Sequence, residues 1–130
     1  MRSATTGGKN DLVQMRCVIV DDDATFIKAA QSLLERDDVT VVGVANSSAE
    51  AMQRAGTLRP DVVLIDIRLG EESGFQVARM LADHGLPSAL ILISTHDGAD
   101  YADLIAESPV TGFLPKAELS AGAIRSLLGA

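Results

Sequence analysis

The sequence predicts an α/β fold of the doubly wound type, a five-stranded parallel sheet with helices on both faces. Three observations carry this. Five short runs, 16–20 (RCVIV), 39–44 (VTVVGV), 62–66 (VVLID), 89–93 (ALILI) and 111–114 (TGFL), are almost continuously apolar. They lack the alternation of a strand with one wet face, and such runs belong to strands buried on both sides. Between them lie segments whose apolar residues recur at helical spacing. Strand-helix alternation of this kind closes into parallel units with right-handed crossovers, which gather the loops after the strands along one edge.

In order, residues 1–14 read as a flexible leader of Ser, Thr, Gly and Asn without periodicity. Thr6-Gly7-Gly8-Lys9 fails as a phosphate-binding loop, because Ser3 stands where its first glycine belongs and Asn10 follows the lysine. The first strand ends in Asp21-Asp22-Asp23. Phe26, Ala29, Ala30, Leu33 and Leu34 then mark the inner face of a first helix. After the second strand, Ser47 and Glu50 form a capping box that opens a helix with Ala51, Met52, Ala55 and Leu58 inward. The third strand ends in Asp66, and a helix with Phe75, Ala78, Leu81 and Ala82 comes next, stopping near Gly85-Leu86-Pro87. The fourth strand leads to Ser94-Thr95-His96-Asp97. A weaker helix over 99–107 carries Tyr101, Leu104 and Ile105. The fifth strand leads to Pro115-Lys116, and Ser120 caps a last helix with Ile124, Leu127 and Leu128.

Composition narrows the function. The chain has 130 residues, enough for one domain with a sizeable core, and 47% of them are hydrophobic, which argues against disorder. Aromatics make up only 3%, too few for a stacking platform that binds single-stranded nucleic acid. The net charge of −7 and the scattered cations argue against direct binding to nucleic acid and favour divalent cations or basic surfaces. The lone Cys17 excludes an internal disulfide and reads as a small core residue. No apolar run approaches a membrane span, and the N-terminus lacks a signal-peptide core, so a cytoplasmic location is the expectation.

The chemistry gathers where the strands end. A charged side chain at the exit of a buried strand is costly unless something pairs with it. The topology brings the Asp21–Asp23 triplet, Asp66, Ser94 and Lys116 to the same edge. Converging carboxylates repel, so their pKa values rise or a cation lies between them. A ligand set of oxygens alone suits a hard ion, Mg²⁺ first and Mn²⁺ second. A carboxylate nucleophile, a Mg²⁺ site, a hydroxyl and an ammonium are the parts for moving a phosphoryl group onto Asp66.

Residues 15–130 resemble the receiver domain of two-component response regulators, the CheY-like superfamily. The resemblance is carried by VIVDDD (18–23), DVVLIDIRLGEESG (61–74), LILIST (90–95) and GFLPK (112–116), in the family's order and close to its spacings. It implies a flavodoxin-like (βα)5 three-layer sandwich with strand order 2-1-3-4-5. It implies that Asp66 accepts a phosphoryl group from a phosphohistidine, supplied by a sensor histidine kinase or a phosphotransfer protein. Asp22 is the implied direct Mg²⁺ ligand and Asp21 acts partly through water, with Asp66 and the backbone carbonyl of Arg68 completing the metal site. Ser94, the Thr95 backbone N–H and Lys116 are implied to hold the phosphoryl oxygens. Ser94 and Phe113 are the implied switch pair. Arg68 and His96 stand where the family tunes phosphoryl lifetime. The implied output is a changed partner-binding face on the fourth helix, fifth strand and fifth helix, near Tyr101, Leu104 and Phe113, for an unidentified protein. The expected role is therefore a signalling switch, not an enzyme. The last predicted helix runs to 128–130, so no output domain is expected in this chain. It reads as a stand-alone regulator, a phosphorelay intermediate or a fragment.

Some residues depart from the family pattern. Ala117 replaces the proline that commonly follows the lysine, Pro115 precedes it, and the Leu114–Pro115 isomer is open. Gly70, Glu71 and Glu72 replace a loop that usually contains proline, so this loop is expected to be more mobile. Ser94 lacks the methyl of threonine, which frees its rotamer. Two rivals remain. Asp21-Asp22-Asp23-Ala24-Thr25 fits D-x-D-x-T, the motif of haloacid-dehalogenase-like phosphatases, with Asp21 as nucleophile and Asp23 as acid/base; that reading leaves Asp66 idle. The second is an interaction module that keeps the fold without the switch, against which the complete Asp, Ser and Lys set argues.

Overall fold

The computed structural model describes residues 14–129, so almost all of the leader expected over 1–14 lies outside the described residues. The main strands are β1 (Met15–Val20), β2 (Val39–Ala45), β3 (Val62–Asp66), β4 (Ala89–Ser94) and β5 (Gly112–Pro115). The helices are α1 (Ala24–Glu35), α2 (Ser48–Leu58), α3 (Gly74–Asp83), α4 (Ala102–Glu107) and α5 (Ala121–Leu128). The strands form one sheet in the order β2-β1-β3-β4-β5, with every pair parallel. This is the flavodoxin-like order that the resemblance implied.

Each strand sends alternate side chains to opposite faces, and the core divides accordingly. Val18, Val20, Val63, Ile65 and Leu92 pack under α2 and α3, with Tyr101 and Ile105 at the margin. Cys17, Ile19, Leu64, Ile91 and Ile93 pack under α1 and α5. All five residues of β3 are buried, as expected of the central strand. At the opposite edge from the site, Asp61 accepts a bond from the Arg16 backbone N–H (2.8 Å) and its carbonyl receives Ala89 N–H (3.0 Å), which sets the start of three neighbouring strands.

The helix faces agree with the sequence in part. Ala29 is exposed, and Ile27 takes its place on the buried side of α1 with Ala30 and Leu34. Ala30, Leu34 and Phe26 lie on the inner side as expected, and only the edge of the stripe differs, because 27, 30 and 34 are as well spaced for a helix as 26, 30 and 33. The capping box is half made: Ser47 Oγ accepts Glu50 N–H (3.2 Å), but the Glu50 carboxylate reaches Asn46 N–H (2.9 Å) rather than that of Ser47. The expected helix over 99–107 is a 3₁₀ turn, Gly98–Tyr101, running into the six-residue α4. A 3₁₀ turn has three residues per turn, which shifts the phase of the helix after it. Tyr101 and Ile105 turn inward, and Leu104 is left 52% exposed.

Candidate functional site

Asp21 follows β1 and remains tied to the sheet through its N–H to the Ala45 carbonyl (2.9 Å). It is fully buried. Its Oδ1 accepts Asp23 N–H (2.9 Å), and its Oδ2 lies 2.7 Å from Lys116 Nζ. That second contact is an ion pair whose angles fall outside hydrogen-bond geometry. Asp22 is exposed. Asp23 is the N-cap of α1, its Oδ1 accepting from Thr25 N–H (3.0 Å) and Phe26 N–H (3.2 Å). A carboxylate spent on a helix cap is poorly placed to act as an acid or base. The phosphatase reading through Asp21 and Asp23 is therefore not favoured.

Asp66, at the end of β3, is 7% exposed. Oδ1 accepts Arg68 N–H (3.1 Å) and Oδ2 accepts from Lys116 Nζ (3.3 Å). Burial and then the nearby Asp21 charge push the Asp66 carboxyl up to about 6, while the Arg68 N–H and Lys116 pull it down. Burial works to lower the Lys116 pKa, but the two carboxylates outweigh it and hold the ammonium above the usual lysine range. One oxygen from each of Asp21, Asp22 and Asp66 lies within 4.8 Å of the others. The Lys116 ammonium pairs with Asp21 and Asp66, the two buried members of this trio. Hard oxygen donors with unbalanced negative charge fit a divalent cation such as Mg²⁺.

The loop after Asp66 differs from expectation. It is a short antiparallel pairing of Arg68–Leu69 with Glu72–Ser73, turned at Gly70 with φ +60°. Leu69 is buried in the α2/α3 core. Glu72 reaches across to Ser48 at the start of α2, accepting its N–H (2.8 Å) and its hydroxyl (2.5 Å). These bonds pull the Glu72 carboxyl below its usual range. The hairpin ends at Gly74, where a Cβ would lie 2.1 Å from the Asp66 carbonyl oxygen. The carboxylate-bearing strand and α3 thus meet at a point where only glycine fits.

Ser94 is buried at the end of β4, one residue beyond Ile93, the register partner of Asp66. Its Oγ accepts His96 N–H (3.0 Å). Thr95 and His96 are exposed, their Oγ1 and Nδ1 atoms 3.2 Å apart. Phe113 is half-buried on β5, its ring so close to Gly98 that a Cβ there would meet two ring carbons at 2.9 Å. Leu114–Pro115 is trans. Lys116 begins a short 3₁₀ turn after β5, and its Nζ lies 4.4 Å from the centroid of the Phe26 ring. The structure thus joins Asp21, Asp22, Asp66 and Lys116 in one cluster and sets Ser94, Thr95 and Phe113 on or just beyond the adjoining strands. Arg68 contributes a backbone N–H to Asp66, while its side chain is exposed. Sequence reasoning missed Phe26 as a neighbour of Lys116, and it missed the Glu72–Ser48 pair. Phe26 was visible as the one aromatic in the first turn after the acidic triplet.

The family model of the response regulator receiver domain matches residues 17–127. The chain belongs to that family. As a receiver domain it is a phosphoryl-accepting signalling switch. Among curated relatives, it is 30% identical over 104 residues to the DNA-binding transcriptional activator EvgA of Escherichia coli K12, an alignment covering 80% of this chain and 51% of that protein. It is 31% identical over 104 residues to the protein-glutamate methylesterase/protein-glutamine glutaminase of Lawsonia intracellularis, covering 78% of this chain and 29% of the enzyme. The receiver domain thus spans about half or less of the length of these relatives. Among solved structures, the signal receiver domain of the putative response regulator NarL from Mycobacterium tuberculosis superposes with a TM-score of 0.78 at 30% identity, covering 89% of this chain and 94% of that one.

Proposed function

We propose that Asp66 is the phosphoryl acceptor of this receiver domain and that residues 15–130 form the working unit. The observation that carries this is the position of its carboxylate, 3.3 Å from Lys116 Nζ and within one cation's reach of Asp21 and Asp22. An Asp66 oxygen attacks the phosphorus of a phosphohistidine, the P–N bond breaks, and the electron pair leaves with the imidazole. The product is an aspartyl phosphate. Asp21, Asp22, Asp66 and the Arg68 carbonyl would hold Mg²⁺ (or Mn²⁺). Bound there, the ion supplies positive charge to the phosphoryl oxygens and allows a dianionic donor to approach a carboxylate.

Lys116 keeps an ammonium beside the attacking oxygen, and Ser94 Oγ and Thr95 N–H bind the transferred group. Ser94 and Phe113 then convert the new charge into a packing change on the face of α4, β5 and α5. A sensor histidine kinase or phosphotransfer protein is the donor, and a downstream protein is the reader. Arg68 and His96, both exposed beside the cluster, set how fast water reaches the acyl phosphate. Among the described residues no helix is long and apolar enough to cross a membrane, and we place the chain in the cytoplasm.

The test is labelling by a small radiolabelled acyl-phosphate donor with Mg²⁺. The wild type should take up label, Asp66→Asn should not, and chelation should abolish uptake. Label retained by Asp66→Asn but lost in Asp21→Asn would restore the phosphatase reading.

A further inference from the structure

We infer that Glu72 is a positioning residue for the phosphoryl site, acting through a clamp on Ser48 that fixes the Arg68 peptide against Asp66. The inference rests on the reading of Asp66 given above. Both ends of the 68–73 hairpin are anchored by the sheet and by α3. Ile67 N–H bonds the Ile93 carbonyl (2.9 Å), Gly74 N–H bonds the Ile67 carbonyl (2.8 Å), and Ser73 Oγ accepts Phe75 N–H (3.1 Å) at the start of α3. The tip, with Gly70 in the left-handed region and Glu71 exposed, has no such framework.

Leu69 packs one arm of the hairpin into the α2/α3 core; the polar tie on the other arm is Glu72. It accepts two bonds from Ser48, whose own place is fixed as the first residue of α2. A carboxylate at a helix N-terminus is favoured there by the free N–H groups and the helix dipole, so the clamp gains from both sides. Glu72 pairs with Leu69 in the hairpin register and Arg68 with Ser73. Fixing Glu72 therefore fixes the peptide that donates to Asp66 Oδ1 and carries the Arg68 carbonyl. Two loops that flank the acid cluster, after β2 and after β3, are thereby tied into one rigid body. Groups outside the ligand shell that orient ligands commonly change metal affinity by 10–100-fold when removed. A clamp acting through the hairpin belongs at the low end of that range.

The experiment compares Glu72→Ala, Glu72→Gln, Ser48→Ala and the double variant Ser48→Ala/Glu72→Ala with wild type, and includes Asp66→Asn. Three readouts are taken. Exchange of the Arg68 amide is followed in metal-free protein, Mg²⁺ titration is followed by amide shifts, and the urea midpoint reports the fold. Glu72→Ala should speed Arg68 exchange and raise the Mg²⁺ midpoint about tenfold, with amides in β1 unchanged. Glu72→Gln, which keeps an oxygen for the Ser48 N–H, should recover part of both. The double variant should be no worse than Glu72→Ala alone, because the two residues act as one unit. Unchanged Arg68 exchange and Mg²⁺ midpoint in Glu72→Ala would overturn the inference. So would a fall in urea midpoint with both site readouts intact, since that marks a merely structural bond. Asp66→Asn separates the two readings: label uptake surviving in that variant sinks the assignment of Asp66, whereas the Arg68 and Mg²⁺ readouts judge Glu72.

Discussion

Lys116 Nζ lies 4.4 Å from the centroid of the Phe26 ring while facing two carboxylates. The ammonium is thus attracted by the ring as well as by the acids, and the ring keeps water from that side. A cation over an aromatic ring gains about 0.5–1 kcal/mol when exposed and about 2 when desolvated. Phe26→Leu should therefore lower the unfolding free energy by roughly 1 kcal/mol beyond its loss of apolar area. A double-mutant cycle with Lys116→Met isolates the term, and a coupling energy of zero would show that the ring is mere packing.

Metal-free protein should show the Asp66 carboxyl titrating near 6, against an ordinary value of 3.8. The folded chain keeps this proton to higher pH than the unfolded chain. Stability from the group is complete below about pH 4 and is lost as pH rises towards about 6. The unfolding free energy should fall across that window, and Asp66→Asn should flatten the slope. Carboxyl carbon NMR and urea titrations at stepped pH check this; a rise in stability with pH in that range, attributable to Asp66, would contradict it. Mg²⁺ should move the midpoint down, because metal and proton compete for the same oxygens.

Removal of the Lys116 charge leaves a fully buried Asp21 without its counter-ion. Stranding one member of a buried pair typically costs about 3–5 kcal/mol. Lys116→Met should lose about 3 kcal/mol in urea without metal. Millimolar Mg²⁺ should restore much of it by binding only the folded state. Equal losses with and without Mg²⁺ would show that the ion does not take over the pairing.

Gly74→Ala would place a methyl group 2.1 Å from the Asp66 carbonyl oxygen. Backbone, not a flexible side chain, occupies that space, so β3 or α3 must shift. The expected cost is about 3 kcal/mol, the upper end for overpacking, together with a weaker Mg²⁺ response. A Gly74→Ala protein with unchanged thermal midpoint would show that the strand end is more pliant than the packing implies.

Much of the fold and the acid cluster was legible in the sequence, for identifiable reasons. Val62–Ile65 reads as a strand buried on both faces, and Asp66 at its exit demanded a partner. Parallel topology then carried Asp21 and Lys116 to the same edge without any local signal linking them. The remainder depended on information that is not local. Ile27 and Ala29 both satisfy helical spacing, and only the position of the sheet decides between them. The 3₁₀ turn at Gly98–Tyr101 turned Leu104 outward, a phase shift no periodicity encodes. Glu72 lies in the hairpin after β3 and Ser48 begins α2, 24 residues apart in the chain, and either alone reads as a solvated residue. The loop after Asp66 is paired as a hairpin, with Glu72 bonded to the start of α2, a long-range partner that no local pattern signals.

The ion pair between Lys116 and Asp21 joins the exit of the last strand to the exit of the first, across β3 and β4. Closing a loop of that length carries a large entropic cost, which only long-range partners repay. Local units such as β1 with α1, or β3 with α3, can assemble before it exists. The bridge should therefore be absent from the rate-limiting step, and weakening it should quicken unfolding while leaving the refolding rate nearly untouched. The same pairing that closes the acid cluster would thus also act as the latch that sets how long the folded molecule lasts.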